Sequence, residues 1–394
     1  MRILVANPGS TSYKCKLYET DTMDCLYQAT VQRIGDVEGR IDYQFADGVN
    51  VTVNQPFKDY HCAIECTLEA LQEKFEINSI AAVGFKVVVA KNVTGCVELT
   101  EDVVKAMQEY RVMAPVHTQV YLTAIAILQD LMQKTPMIGL FETAFHTEIT
   151  QEKYLYGIPY KFYQKHGIRK YGFHGASHRY IAYRIKQEFN NGDITCRIIS
   201  CHLGGSSSIC AIKDGVSIDV SMGMSPQSGL LNAKRTGDLD PFALLYLMEK
   251  ENLSIEQTRY MLANESGMLG ISELSGDFRD IQTAMKEGNR KANAAFDTFV
   301  YFARRYIGEY LAVLNGADYI VFTAGAGENN PLLRKSIVQN MENLGIILDD
   351  EKNFRNPIEG LISANKSPIK VAVIPTNEEF IVVQAVSDKL NQMK

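Results

Sequence analysis

Residues 1–19 read MRILVANPGSTSYKCKLYE, and their order decides the fold. Residues 3–6 are apolar, residues 7–12 are small or turn-forming, and Tyr13, Cys15 and Leu17 return at every second position. An apolar run broken by Pro and Gly and followed by period-two alternation is a strand, a tight turn and a second strand. The tip is small and polar. Many such turns only reverse the chain, so its meaning depends on whether the pattern returns.

It does return, at residues 198–220, IISCHLGGSSSICAIKDGVSIDV. An apolar strand meets Gly204, Gly205, Ser206, Ser207 and Ser208 and comes back through Ile209, Ala211 and Ile212. A third glycine turn, FTAGAGENN at 322–330, follows a strand ending at Thr323 and precedes a helical segment near Pro331. Strand-like runs at 81–89, 137–141, 197–201, 319–323 and 371–374 alternate with helical patterns at 116–133, 176–189, 241–263 and 291–313. Such alternation predicts an α/β fold with largely parallel sheets. Two hairpins of one design in two halves predict a duplicated domain with both tips facing a shared cleft.

Composition narrows the class. The chain has 394 residues, 46% hydrophobic and 22% charged, values of a globular protein with two or three domains. A net charge of -6 argues against a general nucleic-acid or membrane-surface binder, which needs a basic face. It does not exclude an anionic substrate held in a local basic cleft. No stretch reaches the length of a membrane span, and the apolar start is too short for a signal peptide, so a cytoplasmic location is expected. The eight cysteines contain no CxxC pair and read as free, mostly buried thiols; His61, Cys62 and Cys66 lack zinc-type spacing.

Small residues at a hairpin tip let backbone N–H groups and hydroxyls converge on an anion. Three such turns suit a nucleotide, although neither the Walker spacing nor GxGxxG is present. The polar clusters add chemistry. FETAFH sets Glu142 directly after an apolar strand, where open α/β sheets display functional groups. RKYGFHGASHRY carries His174 and His178, NAKRTGDLDP carries Lys234 and Arg235, SGDFRD carries Asp277 and Arg279, and TNEE carries Glu378 and Glu379. Lys234 reads as part of a solvated salt-bridge loop.

In order along the chain, NPGSTSYK, FETAFH, YGFHGASH, HLGGSSS, SMGMSP, RTGDLDP, SGMLGISELSGDFRD, FTAGAGEN and IPTNEEF resemble the motifs of the acetokinase family, within the actin, hexokinase and sugar kinase superfamily. The resemblance runs from residue 7 to residue 380. It implies an α/β protein of two duplicated actin-like ATPase (ribonuclease H-like) domains with a nucleotide cleft between them. The first would span 1–145 plus 380–394, and the second, 146–379, would hold the nucleotide site and a homodimer interface.

The implied reaction is direct in-line phosphoryl transfer between ATP and acetate or propionate, giving ADP and an acyl phosphate. By the same resemblance, Asn7 and Glu378 would hold Mg2+ or Mn2+. Lys14 and the turn His202, Leu203, Gly204, Gly205 and Ser206 would contact the ATP phosphates. Asp277, Phe278 and Arg279, with Gly325, Ala326, Gly327, Glu328 and Asn329, would hold the nucleoside. His174 and Arg235 would stabilise the migrating phosphoryl group, and Lys86 would bind the substrate. Val88, Val116, Phe173 and Pro226 would line the pocket for its alkyl end. A carboxylate nucleophile is already ionised near neutral pH, so Glu142 is expected to orient the metal or its waters, or to hold an Arg.

The chain departs from the family at the chemistry. Where the family reads Gly-His-Arg-Val-Val-His-Gly-Gly, residues 84–91 are GFKVVVAK, so Lys86 replaces a planar, bidentate Arg with a point charge. Glu142 stands for an Asp, Gly205 and Ser206 for Asn-Gly, and Ala233 and Lys234 for Gly-Thr. Clustered changes leave two readings open. One is a working carboxylate kinase; the other is a divergent member with another phosphoryl donor or acyl acceptor, or a nucleotide-binding protein whose transfer is weak or lost.

Overall fold

The first strand β1 (Arg2–Pro8) and the second β2 (Ser12–Glu19) form the antiparallel hairpin that the opening residues predict, with Asn7 paired to Lys14 and Pro8 to Tyr13. In the computed structural model, residues 1–113, 115–355 and 359–393 are described, with the backbone alone for 115–117. The sheet continues through β3 (Asp24–Gln32), β4 (Arg40–Phe45), β5 (Asn50–Asn54), β6 (Ile80–Val87), β7 (Cys96–Glu98) and β8 (Met137–Phe141). Its order is β5-β4-β3-β2-β1-β6-β8-β7, and β1, β6 and β8 run parallel. A second sheet holds β9 (Arg197–Leu203), β10 (Ser207–Lys213), β11 (Val216–Val220), β12 (Tyr319–Thr323), β13 (Gly360–Leu361) and β14 (Lys370–Val373), in the order β11-β10-β9-β12-β14-β13.

The two sheets repeat one plan. In each, three strands in antiparallel succession (β3-β2-β1 and β11-β10-β9) are followed by two that run parallel to the last of them. The parallel strands are buried along their lengths, as strands covered on both faces must be. The chain divides into one unit of Met1–Ala144 with Asn377–Lys394 and another of Phe145–Thr376. Each has its own core, the first around Leu4, Tyr13, Phe45, Phe85 and Phe141, the second around Ile199, Phe278, Phe299, Tyr310 and Phe322.

The C-terminal helix Glu378–Met393 packs on the first sheet at Gly84. A Cβ there would stand 3.1 Å from Val386 and 3.2 Å from Val382, so the glycine sets how closely the helix approaches. Its first turn then carries Glu378 and Glu379 near the carboxyl ends of the parallel strands.

Three local expectations change. The pattern at 241–263 is two helices, Pro241–Lys250 and Ile255–Asn264. Asn252 turns left-handed at φ 53°, and Ser254 opens the second helix with a capping box to Gln257. The pattern at 176–189 is helical over Gly175–Arg184 and widens to a π turn at Ile185–Phe189. The third glycine turn is itself a short helix, Ala324–Asn329, because the Glu328 carboxylate accepts from Ala324 N at 2.7 Å and caps it. All eight cysteines are free, and among the described residues no helix is long and apolar enough to cross a membrane.

Candidate active site

In the first unit the chemistry gathers where β1, β6 and β8 end, the carboxyl side at which parallel sheets present functional groups. Lys86 lies near the end of β6, Glu142 follows β8 directly, and Asn7 lies near the end of β1. The Lys86 Nζ stands 3.0 Å from Glu142 Oε1 and 2.5 Å from Glu378 Oε2. Burial alone would depress this ammonium, but Glu142 and Glu378 outweigh it and hold its pKa well above the ordinary lysine value. One cation therefore joins two carboxylates that are far apart along the chain.

Tyr121, which sequence reasoning missed, donates its hydroxyl to Asn7 Oδ1 at 3.2 Å. Glu379 turns away from this cluster and binds Lys16 and Tyr18. Lys14 is exposed and is the direct cross-strand partner of Asn7, so both side chains leave the same sheet face. Val88 is half-buried just past β6. Val116 is described in its backbone alone, and its side chain lies outside the described part.

Oxygen donors of this kind suit Mg2+, which keeps several waters and takes one or two carboxylates together with substrate phosphates. Among the described residues no three His, Cys, Asp or Glu side chains are placed to cage an ion on their own. Asn7, Glu378 and Glu142 fit that division of labour.

In the second unit the tip of the β9–β10 hairpin is tied to a distant loop. Ser207 N donates to Asn232 Oδ1 at 2.5 Å, Ala233 N donates to Gly205 O at 3.1 Å, and Arg235 Nη1 donates to Ser206 Oγ at 2.9 Å. Gly267, at φ +65°, lets the backbone pass under this loop; a Cβ would lie 2.2 Å from Asn232 O and 2.6 Å from Arg235 O. The predicted phosphate turn and Arg235 thus meet, although 29 residues separate Ser206 from Arg235. Burial lowers the Arg235 pKa from its ordinary value, yet a guanidinium stays charged at any physiological pH.

His174 sits beside this hairpin as the residue capping the helix Gly175–Arg184, at φ 57°. Left-handed backbone in a non-glycine residue is strained, and such strain gathers at functional sites. Its Nδ1 lies 2.8 Å from Ser208 Oγ, and its ring stacks on His202 at 4.0 Å and 16°. His202 Nδ1 lies 2.8 Å from Ser177 Oγ, which reaches Thr376 Oγ1 at 2.9 Å. Phe173 and Pro226 are buried in this same unit.

Several predicted contacts are structural in their side chains. The Leu203 and Phe278 side chains belong to the core, where the Phe278 ring meets Phe299 edge-on at 4.9 Å. Asp277 caps the helix Phe278–Lys286 through Arg279 N at 2.8 Å and pairs with the exposed Arg279. Glu328 is the cap of Ala324–Asn329 and also accepts from Thr376 N at 3.0 Å. Arg334, fully buried, donates to Gly327 O at 2.9 Å and Glu328 O at 2.8 Å and fixes that turn from below. Gly325 and Asn329 remain exposed and Ala326 is half-buried, while Gly327 is buried.

Comparison with known proteins decides the family. The acetokinase family profile matches residues 2–384. An acetate kinase of Alkaliphilus metalliredigens is 40% identical over 390 residues, 98% of each chain. The chain belongs to the acetokinase family. Among solved structures, an acetate kinase of Porphyromonas gingivalis is 35% identical with a TM-score of 0.87 over the whole of both chains. A propionate kinase of Francisella tularensis is 30% identical with a TM-score of 0.89 over 98% of each. The fold is the duplicated actin-like ATPase fold, and this acetokinase is a phosphotransferase with a carboxyl group as acceptor.

Proposed function

We propose that this acetokinase transfers the γ-phosphoryl group of ATP to acetate or propionate, with Mg2+ held by Asn7 and Glu378. The cluster of Lys86 between Glu142 and Glu378 carries this reading, because it joins a cation for an anionic acceptor to carboxylates suited to a hard metal. An oxygen of the substrate carboxylate attacks the γ-phosphorus, the bond from that phosphorus to the β–γ bridging oxygen breaks, and ADP leaves with the electron pair. The nucleophile is ionised beforehand, so no base is needed. Bound Mg2+ would neutralise charge on the phosphates.

The residues of the chain supply position and charge, which is most of what phosphoryl transfer requires. Arg235 and His174 donate to the equatorial oxygens of the group in flight. The backbone at Gly204, Gly205 and Ser206 cradles the donor phosphates with Lys14, and Gly325 to Asn329 receive the nucleoside. Lys86, oriented by Glu142, neutralises the carboxylate, and Val88, Val116, Phe173 and Pro226 bound its alkyl end. Propionate differs from acetate by one methylene, worth about 1–3 kcal/mol in such a pocket.

A homodimer accords with an exposed apolar strip on the second unit. Phe242, Leu245 and Tyr246 are 79%, 58% and 63% exposed on one helix, with Ile255, Tyr260 and Tyr301 above 59% nearby in sequence or on the same unit. Apolar exposure of this density marks an association surface. A cytoplasmic setting accords with the metabolite substrates.

The test is acyl phosphate formation, trapped as hydroxamate, from acetate, propionate or butyrate with Mg2+ and either ATP or pyrophosphate. ATP-dependent product with acetate or propionate is expected. Product with pyrophosphate alone, or thermal stabilisation by ATP with no product from any pair, would overturn the proposal. Light scattering of the purified chain should give twice its 44.1 kDa mass.

A further inference from the structure

In the proposed transfer reaction, on which the role assigned here to two further residues rests, His174 donates to the migrating phosphoryl group. What a neutral imidazole can donate depends on which nitrogen holds its proton. The helix Gly175–Arg184 places His178 one turn beyond His174, with His178 N donating to His174 O at 3.0 Å. On the sheet beneath, Ser208 pairs with His202 and Cys210 with Ser200, so Ser200, His202 and Ser208 share one face. That face is covered by the same helix and the π turn that follows it, whose Ile181 and Ile185 pack with Ile198 and Cys210.

Four side chains on this face make a continuous chain of hydrogen bonds. Ser200 Oγ lies 2.9 Å from His178 Nδ1, His178 Nε2 lies 2.8 Å from Ser208 Oγ, and Ser208 Oγ lies 2.8 Å from His174 Nδ1. Ser200, Ser208 and His178 are fully buried. Burial, and after it His146 and His202, push the His178 pKa well below its ordinary value, so this ring is neutral with one N–H. Ser208 also has one proton to give and two ring nitrogens to satisfy.

Only two proton arrangements then satisfy the chain. In one, His174 Nδ1–H donates to Ser208 and the sequence of donors runs toward Ser200. In the other it runs toward His174, whose proton then sits on Nε2. An anionic phosphoryl group at Nε2 favours the second, and aligned donors polarise one another in its direction.

We propose that Ser208 and His178 are positioning residues that fix the His174 tautomer: His178 Nε2–H donates to Ser208 Oγ, Ser208 O–H donates to His174 Nδ1, and His174 keeps its proton on Nε2. No net charge enters the buried face. The stacked His202 ring, 4.0 Å away, makes a neutral donor preferable to an imidazolium. His202 is tied separately to Ser177 and so does not compete for Ser208.

The experiment uses the full chain labelled with 15N-histidine, with His174 resonances assigned by their loss in His174→Gln. Long-range 1H–15N spectra should show a protonated Nε2 and a bare Nδ1 at His174. Ser208→Ala should move that proton to Nδ1 or mix the tautomers. It should also lower kcat roughly tenfold to a hundredfold, with KM for the carboxylate within about twofold. Ser208→Thr, which restores the hydroxyl, should recover both readouts; His178→Gln, which keeps a donor toward Ser208, should stay within about threefold of wild-type kcat. An unchanged His174 tautomer in Ser208→Ala, or a proton on Nδ1 in the wild type, overturns the relay. Wild-type turnover by His174→Ala, which leaves no donor at this position, instead overturns the donor role of His174 and with it the catalytic half of the proposal, while leaving the spectra to judge the relay.

Discussion

The two units share a sheet plan and differ in what stands at its edge. The first unit ends its parallel strands in charge, with Lys86 between Glu142 and Glu378. The second surrounds its equivalent hairpin with histidines and hydroxyls and a guanidinium, Arg235. A duplicated scaffold fixes where functional groups can stand; the side chains placed there fix the chemistry. A charged cluster suits a metal and an anionic acceptor, whereas a neutral donor network suits oxygens whose charge is only passing.

Arg235→Ala tests the second unit hardest. If Arg235 meets the transferring group as proposed, turnover should fall about a thousandfold or more, while circular dichroism keeps the wild-type spectrum because the side chain bridges to Ser206. Turnover within tenfold of wild type would remove Arg235 from the chemistry. Lys86→Ala tests the first unit. Two carboxylates would lose their shared cation, and unfolding by denaturant should show a loss of about 3 kcal/mol together with a roughly tenfold to hundredfold drop in turnover. Lys86→Arg is expected to need Glu142→Asp beside it, since the longer cation suits the shorter acid; additive effects of the two changes would argue against that coupling.

Gly84→Val probes the scaffold under the charged cluster. The new side chain would push against Val382 and Val386, with an expected loss of about 1–3 kcal/mol. Unchanged stability would show that the C-terminal helix can shift. Acid separates the two units more gently. Burial drives His146 down to about 4 and His178 well below its ordinary value, so both add stability that is complete above the ordinary histidine value of about 6.5 and fades as pH falls below it. Lys86 has its pKa raised, so its contribution is complete below the ordinary lysine value and fades only at strongly alkaline pH. Melting temperature should therefore hold level between about pH 7 and 9 and decline between about 6.5 and 4. His146→Gln should weaken that decline; an equal slope would assign the acid lability elsewhere. Lys234→Ala, at an exposed position, should change stability by less than about 0.5 kcal/mol.

Much of this was legible along the chain. The hairpins at residues 7–12 and 204–206 could be read because glycine, proline and serine break period-two patterns locally. Glu142 could be placed because it follows an unbroken apolar strand. The helix break near Asn252 escaped because apolar spacing continues across it, although Ser254 and Gln257 spell a capping box. The helix at Ala324–Asn329 escaped because its cap is a glutamate inside the helix. The core packing of the Phe278 and Leu203 side chains also escaped, since a motif gives a position but not the direction a side chain turns.

The sequence by itself determined the family, the α/β duplication, the glycine tips and the residue types available for phosphoryl transfer, because each is written in neighbours a few positions apart. Tertiary structure alone decided that Lys86 lies between acids 56 and 292 residues further on. It alone joined Tyr121 to Asn7, Arg235 to Ser206, and His178 to His174 through Ser208. Parallel strands bring distant segments to one edge, and a hydrogen bond, reaching about 3 Å, depends on that edge and not on the length of chain between its partners.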